Sequence, residues 1–493
     1  MNPLKKLAGQ TVIYGLSSVV GRLLNYLLVP LYTRVFLPEQ YGVVIEMYAY
    51  VAFLVVILTY GIETAFFRYS HKVKNKRTVY STSLISLLIT STIFILVIYN
   101  SAQPISNWLQ YPETPEYIKC FAFIIGLDAV TSISFAKLRE MNNASRFALI
   151  RLVNIFVNIG LNLFFIIYCP YAIKNGLSSV EFVNSVYSEE IGVGYIFIAN
   201  LIASIITFLM LLPEMIKSVW IFDKILWKNM MIYALPLLIA GLAGMTNETI
   251  DRILLKYLLP ETVNASVELG LYGAFYKLSI LMILFIQTFR FAAEPFFFAQ
   301  EKEKNSRKVY ADVMKYFVII TSLIFLVVTM FYEFIILFLG ENYHDERGFK
   351  VVSILLAANL FLGIYYNLSI WYKLSEKTKY GAYLSIFGAI ITLVLNFILI
   401  PIIGFVGSAW ATLVCYFCMV VSSYFLGRKH YKIPYPLKRI FFYLGLVILL
   451  FFTSVYFNLS IIFNSIYIIL FISIAFFLEK PKKAVISNPE LFD

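Results

Sequence analysis

The residues in this sequence that can do chemistry are charged side chains set inside long apolar runs. At the centre of a bilayer such a group costs roughly 2.5–3.5 kcal/mol on insertion scales, so it persists where it meets water, a counter-ion or a ligand. Arg22 sits near the midpoint of the run 8–36, whereas Arg34 lies at its end, where the side chain can snorkel to the interface. Asp128 falls in the middle of the run 118–136 with no partner in its own helix, which makes it the candidate for a titrating or cation-binding carboxylate. Glu248, Asp251 and Arg252 are spaced i, i+3, i+4. They share a helical face and either neutralise one another or offer a site of mixed charge. Lys277, Arg290 and Glu294 occupy the run 268–298, the last two one turn apart and able to pair near its inner end. Arg151, Asn154, Asn158 and Asn162 form one stripe of the run 147–168. Interhelical hydrogen bonds in membranes average only ~0.6 kcal/mol, so lining a wet cavity explains three asparagines better than packing does. Glu46 and Glu333 lie in the outer halves of their runs and Glu63 near an inner end, where a solvated or snorkelling carboxylate and a functional one are equally compatible with the sequence, and Glu46 and Glu333 are left out of the candidate set. Tyr365, Tyr366, Asn367 and Trp371 read as an interfacial belt.

The elements that hold these residues are membrane-spanning helices. Hydrophobic residues make up 60% of 493 positions and charged residues 14%, too little polar surface to coat a soluble globule of this size. A span needs ~20 mostly apolar residues. Fourteen runs qualify: 8–36, 41–67, 78–99, 118–136, 147–168, 191–212, 231–258, 268–298, 312–339, 349–372, 381–402, 405–426, 440–457 and 460–478. With the N-terminus inside, the inner segments hold 30 of the 40 lysines and arginines and the outer segments five, namely Lys119, Lys174, Lys256, Arg347 and Lys350. That bias recurs loop by loop, which sets both termini in the cytoplasm. The net charge of +12 therefore reflects topology and not a nucleic-acid-binding face. No connecting loop approaches the ~50 residues of a small soluble domain, so any activity lies within the membrane. The N-terminus shows no cleavage site after a short apolar core, so the first run is expected to be retained. Cys120, Cys169, Cys415 and Cys418 lie far from His71, His344 and His430, which argues against a disulfide framework or a metal site; the C-x-x-C at Cys415 reads as helix packing.

The chain carries an internal repeat. A shift of 231 positions lays Tyr41-Gly42 on Tyr272-Gly273, Glu63 on Glu294, Phe66-Phe67 on Phe297-Phe298 and Lys76-Arg77 on Arg307-Lys308. With a short insertion in the second copy, Leu37-Pro38-Glu39 matches Leu259-Pro260-Glu261, Arg34 matches Lys256 and Asn25 matches Asn247; downstream, Leu161-Asn162 recurs as Leu395-Asn396 and Ile191-Gly192 as Ile403-Gly404. An even number of crossings per copy makes the repeats parallel about an axis along the membrane normal. The expected architecture is therefore all-α and polytopic, with about fourteen spans: six-helix bundles at 1–215 and 216–427, then two further helices and a tail at 428–493, with a cavity between the bundles.

Four segments carry a resemblance that covers nearly the whole chain. LNFILIPIIGFVGSAWAT (395–412), PLYTRVFLPEQYG (30–42), ETIDRILLKYL (248–258) and LGLYGAFYKLSILMILFIQTFRFAAEPFF (269–297) are similar to signature regions of polysaccharide-exporter proteins. These are the Wzx-type oligosaccharide-lipid flippases of the multidrug/oligosaccharidyl-lipid/polysaccharide flippase superfamily. The resemblance implies a V-shaped pair of bundles in a bacterial cytoplasmic (inner) membrane. It also implies outward carriage of a polyprenyl-diphosphate-linked oligosaccharide, such as an O-antigen or exopolysaccharide repeat unit, by alternating access, in company with other polysaccharide-assembly proteins. A diphosphate calls for guanidinium donors, which bind it in bidentate fashion where an ammonium cannot. Arg22, Arg252 and Arg290 then rank ahead of Lys277 for the head group, with Asn154, Asn158 and Asn162 lining the cavity. Asp128, Glu248 and Asp251 are the candidates for a coupling ion, H+ or Na+, and no other cofactor is expected. A small-molecule cation antiporter of the same superfamily is the competing reading; it calls for an acidic, aromatic cavity. A membrane-embedded glycan enzyme calls for a long outer loop or an intramembrane histidine, and the sequence has neither. A channel is disfavoured by the two-bundle repeat.

Overall fold

The computed structural model describes residues 20–480 apart from 22, 302 and 304. Among them there is no strand, and thirteen helices are long and apolar enough to cross a membrane. These are α1 (Pro38–Thr59, continued to Lys72), α2 (Lys76–Asn100), α3 (Pro115–Glu140), α4 (Ala144–Leu163, continued to Asn175), α5 (Gly194–Ile216), α6 (Lys224–Leu258) and α8 (Ile280–Gln300), the last preceded by a shorter helix, α7 (Ala265–Leu278), that is not one of the thirteen. They are followed by α9 (Ser306–Met330), α10 (Arg347–Leu368, continued to Leu374), α11 (Lys379–Ile403), α12 (Phe405–His430), α13 (Leu437–Tyr456) and α14 (Ile461–Glu479). Each matches one of the apolar runs from the second onward. Residues 8–19 of the first run lie outside the described residues, and Arg22 with them; the run ends in a short helix, Val29–Val35.

Local chemistry starts and breaks these helices. Asn75, Asn143, Asp223 and Asn264 cap their helices by accepting hydrogen bonds from first-turn amides, and Pro38 and Pro115 open theirs where a missing N–H costs nothing. The run 268–298, expected as one helix, breaks at Ser279. The Ser279 hydroxyl donates to the Tyr276 carbonyl at 2.8 Å, competing with the helical ladder, and also meets Asn359 Nδ2 of α10 at 3.4 Å. A second break follows α1, where Tyr60 and Gly61 both take left-handed φ (36° and 72°).

The helices fall into two compact units, one of residues 1–302 and 337–432 and one of 303–336 and 433–493. In the first, α2 packs on α3, α3 on α5 and α5 on α4; in the second copy α10 packs on α12, α12 on α11 and α11 on α6. The repeat-related asparagines behave alike. Nδ2 of Asn162 donates to the Asn158 carbonyl and Nδ2 of Asn396 to the Thr392 carbonyl, both at 2.8 Å, while each Oδ1 accepts from a hydroxyl, of Tyr32 in one case and Ser408 in the other. The copies meet where α1 crosses α7. A Cβ on Gly42 would lie 2.0 Å from the Ser266 carbonyl oxygen, and one on Gly270 1.9 Å from that of Pro38, so this backbone contact requires glycine on both sides. In the second unit, Glu479 of α14 gathers Lys315 of α9 (2.6 Å), Arg439 of α13 (2.7 Å) and the Tyr443 hydroxyl (3.0 Å).

Candidate functional site

The intramembrane charges separate into those already neutralised by the fold and those left open. On α6, Asp251 is buried and spent: its Oδ2 accepts from the Tyr272 hydroxyl at 2.5 Å and its Oδ1 from the Arg252 amide at 2.9 Å. Arg252 donates to the Glu248 carbonyl at 2.8 Å, lies 4.2 Å from the Tyr276 ring centroid and keeps Asp251 as a distant counter-ion at 3.8 Å. The i, i+3, i+4 pattern thus brings Asp251 and Arg252 together but leaves Glu248 exposed, its carboxylate in the electrostatic neighbourhood of Tyr276, Tyr366 and Tyr416. Lys277, one residue beyond Tyr276 on α7, is half-buried within reach of the Arg252 charge and has no hydrogen-bond or ion-pair partner among the described residues. Two cations, Arg252 and Lys277, therefore share this part of the second copy with two acids, the engaged Asp251 and the open Glu248.

A second cluster lies in the first copy. Asp128 of α3 accepts from the Ser204 hydroxyl of α5 at 3.0 Å. Its neighbours are the Tyr48 hydroxyl, which itself accepts from Asn200 Nδ2 at 2.8 Å, and the Arg151 guanidinium, which lies 4.0 Å from the Phe135 ring centroid. Asn154 donates to Thr207 at 2.9 Å. Asn200, Ser204 and Thr207 recur at i, i+4, i+7, a polar face that was legible in the run 191–212 and went unused. The asparagine stripe is not a uniform cavity wall. Asn154 and Asn158 are half-buried, but Asn162 is fully buried and bonded to Tyr32 and Asn158, so it joins helices.

Arg290 stands apart from Arg252. It borders a shallow, open pocket lined by Phe289, Glu294 and Phe297 of α8 and by Tyr366, Ser369 and Lys373 from the α10 segment. The expected Arg290–Glu294 pair is loose, at 3.9 Å; Glu294 is held by Lys373 at 2.7 Å, and Arg290 lies over the Tyr366 ring at 4.8 Å. The neighbouring aromatic residues are not a belt. Trp371 is buried, donates to Ser423 Oγ at 3.1 Å and stacks on His430, and Tyr365 is buried as well. Glu46 is neither solvated nor snorkelling. It is 0% exposed, because Lys256 of α6 meets it at 3.0 Å, the Tyr111 hydroxyl at 2.5 Å and the Tyr50 hydroxyl at 3.2 Å. Glu63 is paired with Arg139. All four cysteines are free, and no three or more His, Cys, Asp or Glu among the described residues are placed to hold a metal ion.

Residues 7–299 match the family described as "Polysaccharide biosynthesis protein". Among solved structures, lipid II flippase MurJ in an inward closed conformation superposes with a TM-score of 0.71 at 13% identity, covering 94% of this chain and 99% of MurJ. An inward-facing multidrug resistance MATE family transporter of the MOP superfamily gives 0.64 at 14% identity, over 83% and 94% of the two chains. An outward-facing MATE transporter gives 0.59 at 14%, over 87% and 96%. At such identities the likeness is one of fold. No curated protein matches the sequence.

Proposed function

The chain belongs to the polysaccharide biosynthesis protein family, and from that membership and its MurJ- and MATE-like fold we propose that it is a flippase for a polyprenyl-diphosphate-linked oligosaccharide. It carries this repeat unit of a cell-surface polysaccharide from the inner to the outer leaflet by alternating access. The observation that supports the reading is the Lys277 ammonium, which lies beside the Arg252 charge with no ion-pair partner among the described residues. Inside a bilayer an ammonium without a counter-ion is costly, and that cost is relieved when an anion arrives. A diphosphate on an apolar chain suits the site in both charge and surroundings. Coupling runs through Asp128, which exchanges H+ or Na+, and the protein resides in a bacterial cytoplasmic membrane with both termini inside, beside other polysaccharide-assembly proteins.

Deleting the gene is expected to leave a lipid-linked oligosaccharide on the inner leaflet. Wild type should clear it, while Arg252→Ala or Lys277→Ala at equal membrane abundance should not. Absence of any accumulating glycan-lipid would overturn the reading. One observation favours the cation-antiporter alternative: the exposed Glu248 carboxylate among Tyr276, Tyr366 and Tyr416 is an acidic, aromatic environment. Under that alternative, Glu248→Gln abolishes resistance to an organic cation and leaves glycan export intact.

A further inference from the structure

The pocket beside Arg290 is a site that the central cationic cluster does not account for. It lies at the end of α8 and the α10 segment that the charge bias assigns to the cytoplasm, where a substrate would first arrive. Its charges are unequal, with Arg290 and Lys373 set against Glu294 alone. They are also unequally engaged. Lys373 holds Glu294 at 2.7 Å, a charge-assisted hydrogen bond, while Arg290 is 3.9 Å from the same carboxylate, beyond hydrogen-bonding range. The Arg290 side chain stays 50% exposed, backed by the Tyr366 ring and sharing a side-chain hydrogen bond with Tyr366, so the rest of its donor fork remains open to a planar or tetrahedral anion. Phe289 and Phe297 supply apolar wall next to the charge, which an acyl or prenyl chain can cover.

We propose that this pocket is an entry site for a phosphate group attached to a lipid, in which Arg290 binds the phosphate and Glu294 is a displaceable counter-ion. In the empty pocket Glu294 occupies Lys373. An arriving phosphate competes for Lys373, freeing a second cation and gaining a bidentate contact with Arg290. The flippase reading supplies one source, the diphosphate of the substrate; an anionic lipid head group carries the same chemistry.

The counter-ion role has a signature that a structural acid lacks: neutralising it strengthens binding. Inorganic diphosphate is titrated into the purified full chain in detergent, with affinity read by calorimetry and folding by thermal melting. Arg290→Ala is expected to abolish binding, Arg290→Lys to restore part of it, and Glu294→Gln to tighten it about two- to fivefold, as expected for one partly exposed charge. Unchanged or weaker binding by a normally melting Glu294→Gln protein would overturn the proposal. If that variant melts early, Glu294→Ala and Lys373→Gln are read instead: tightening by the first and weakening by the second are required, and any other pair of results overturns it. In phosphatidylcholine nanodiscs, doping with a polyprenyl diphosphate or with phosphatidylglycerol identifies the source by which one competes with inorganic diphosphate; competition by neither overturns the lipid part of the proposal. If the wild type binds diphosphate but exports no glycan-lipid, the flippase reading falls and the pocket stands. If export is normal in Glu294→Gln and diphosphate affinity does not rise, the pocket reading falls alone.

Discussion

The Glu46–Lys256 pair gives the sharpest test of how the two copies separate. Glu46 lies on α1 in the first copy and Lys256 on α6 in the second, in the halves of those helices that the charge bias places outside. The carboxylate is fully buried and takes one ammonium and two phenol hydroxyls; the ammonium also donates to the Leu109 carbonyl at 2.5 Å and lies 3.8 Å from the Tyr111 ring centroid. Removing one partner of such a buried pair costs about 3–5 kcal/mol, because the other charge stays buried without compensation. In Lys256→Met the apolar stem is kept and only the charge is lost, so the penalty falls on the arrangement in which the outer ends are together. If transport parts those ends, exposing Glu46 to water relieves the penalty, and the equilibrium shifts toward the outward-open form by a factor of roughly 10²–10³. A cysteine at Ile45, which packs against Gly273 of α7, reports the parting through its reaction with a membrane-impermeant maleimide. Labelling is expected to be slow in the parent and faster by about that factor in Lys256→Met, with the double variant Glu46→Gln/Lys256→Met returning toward the parent rate because no charge is stranded. Equal labelling rates in the parent and Lys256→Met at equal abundance would refute the reasoning and reduce the pair to a static brace.

Three further outcomes are expected. Asp128→Asn keeps the Ser204 contact and the volume but cannot exchange a proton or hold a cation, so glycan export measured against an imposed H+ or Na+ gradient loses its gradient dependence while membrane abundance stays normal. Asn162→Ala strands the buried Tyr32 hydroxyl at a cost of about 1–3 kcal/mol and lowers the amount of folded protein, whereas Asn154→Ala, at a half-buried position, lowers it less; immunoblots of membranes compare the two. Reporter fusions at Asn75 and Lys304 should read cytoplasmic and those at Thr114 and Ser185 external, and a reversal at either pair would overturn the assigned sidedness.

The spans were legible because a bilayer selects for composition over some twenty residues, a signal that needs no knowledge of neighbours. One pair matched by the internal alignment behaves alike. Asn162 and Asn396 recur because each must satisfy its amide in an apolar setting, and one solution, a bond back one turn plus an incoming hydroxyl, serves both copies. The breaks were not legible. Nothing in the apolar run 268–298 marks Ser279 as the point where a hydroxyl outcompetes the helical ladder, because that depends on Asn359 lying opposite.

Depth along a helix says whether a charge is inside the membrane; it does not say what faces it, and the open reading at Glu46 and the misreading at Trp371 have that common origin. The depth of Glu46 in its run leaves solvated and functional readings equally open, and its partners come from Tyr111 and Lys256, far away in the chain. Trp371 has the composition of a belt residue and becomes core only because Ser423 and His430 of α12 close over it. The fold's contribution to function is this sorting. Asp251 is occupied by Tyr272, Glu46 by Lys256 and Glu294 by Lys373, and each engaged acid withdraws one group from the set able to meet a ligand. Lys277 and Arg290 are left as open cations and Glu248 as the open acid. A transport cycle needs both kinds, since an open charge binds the cargo while an engaged pair gives each conformation a contact to lose. The two kinds can be separated only where the partner is known, which is why a chain with such a readable topology keeps its binding chemistry hidden until its helices are packed.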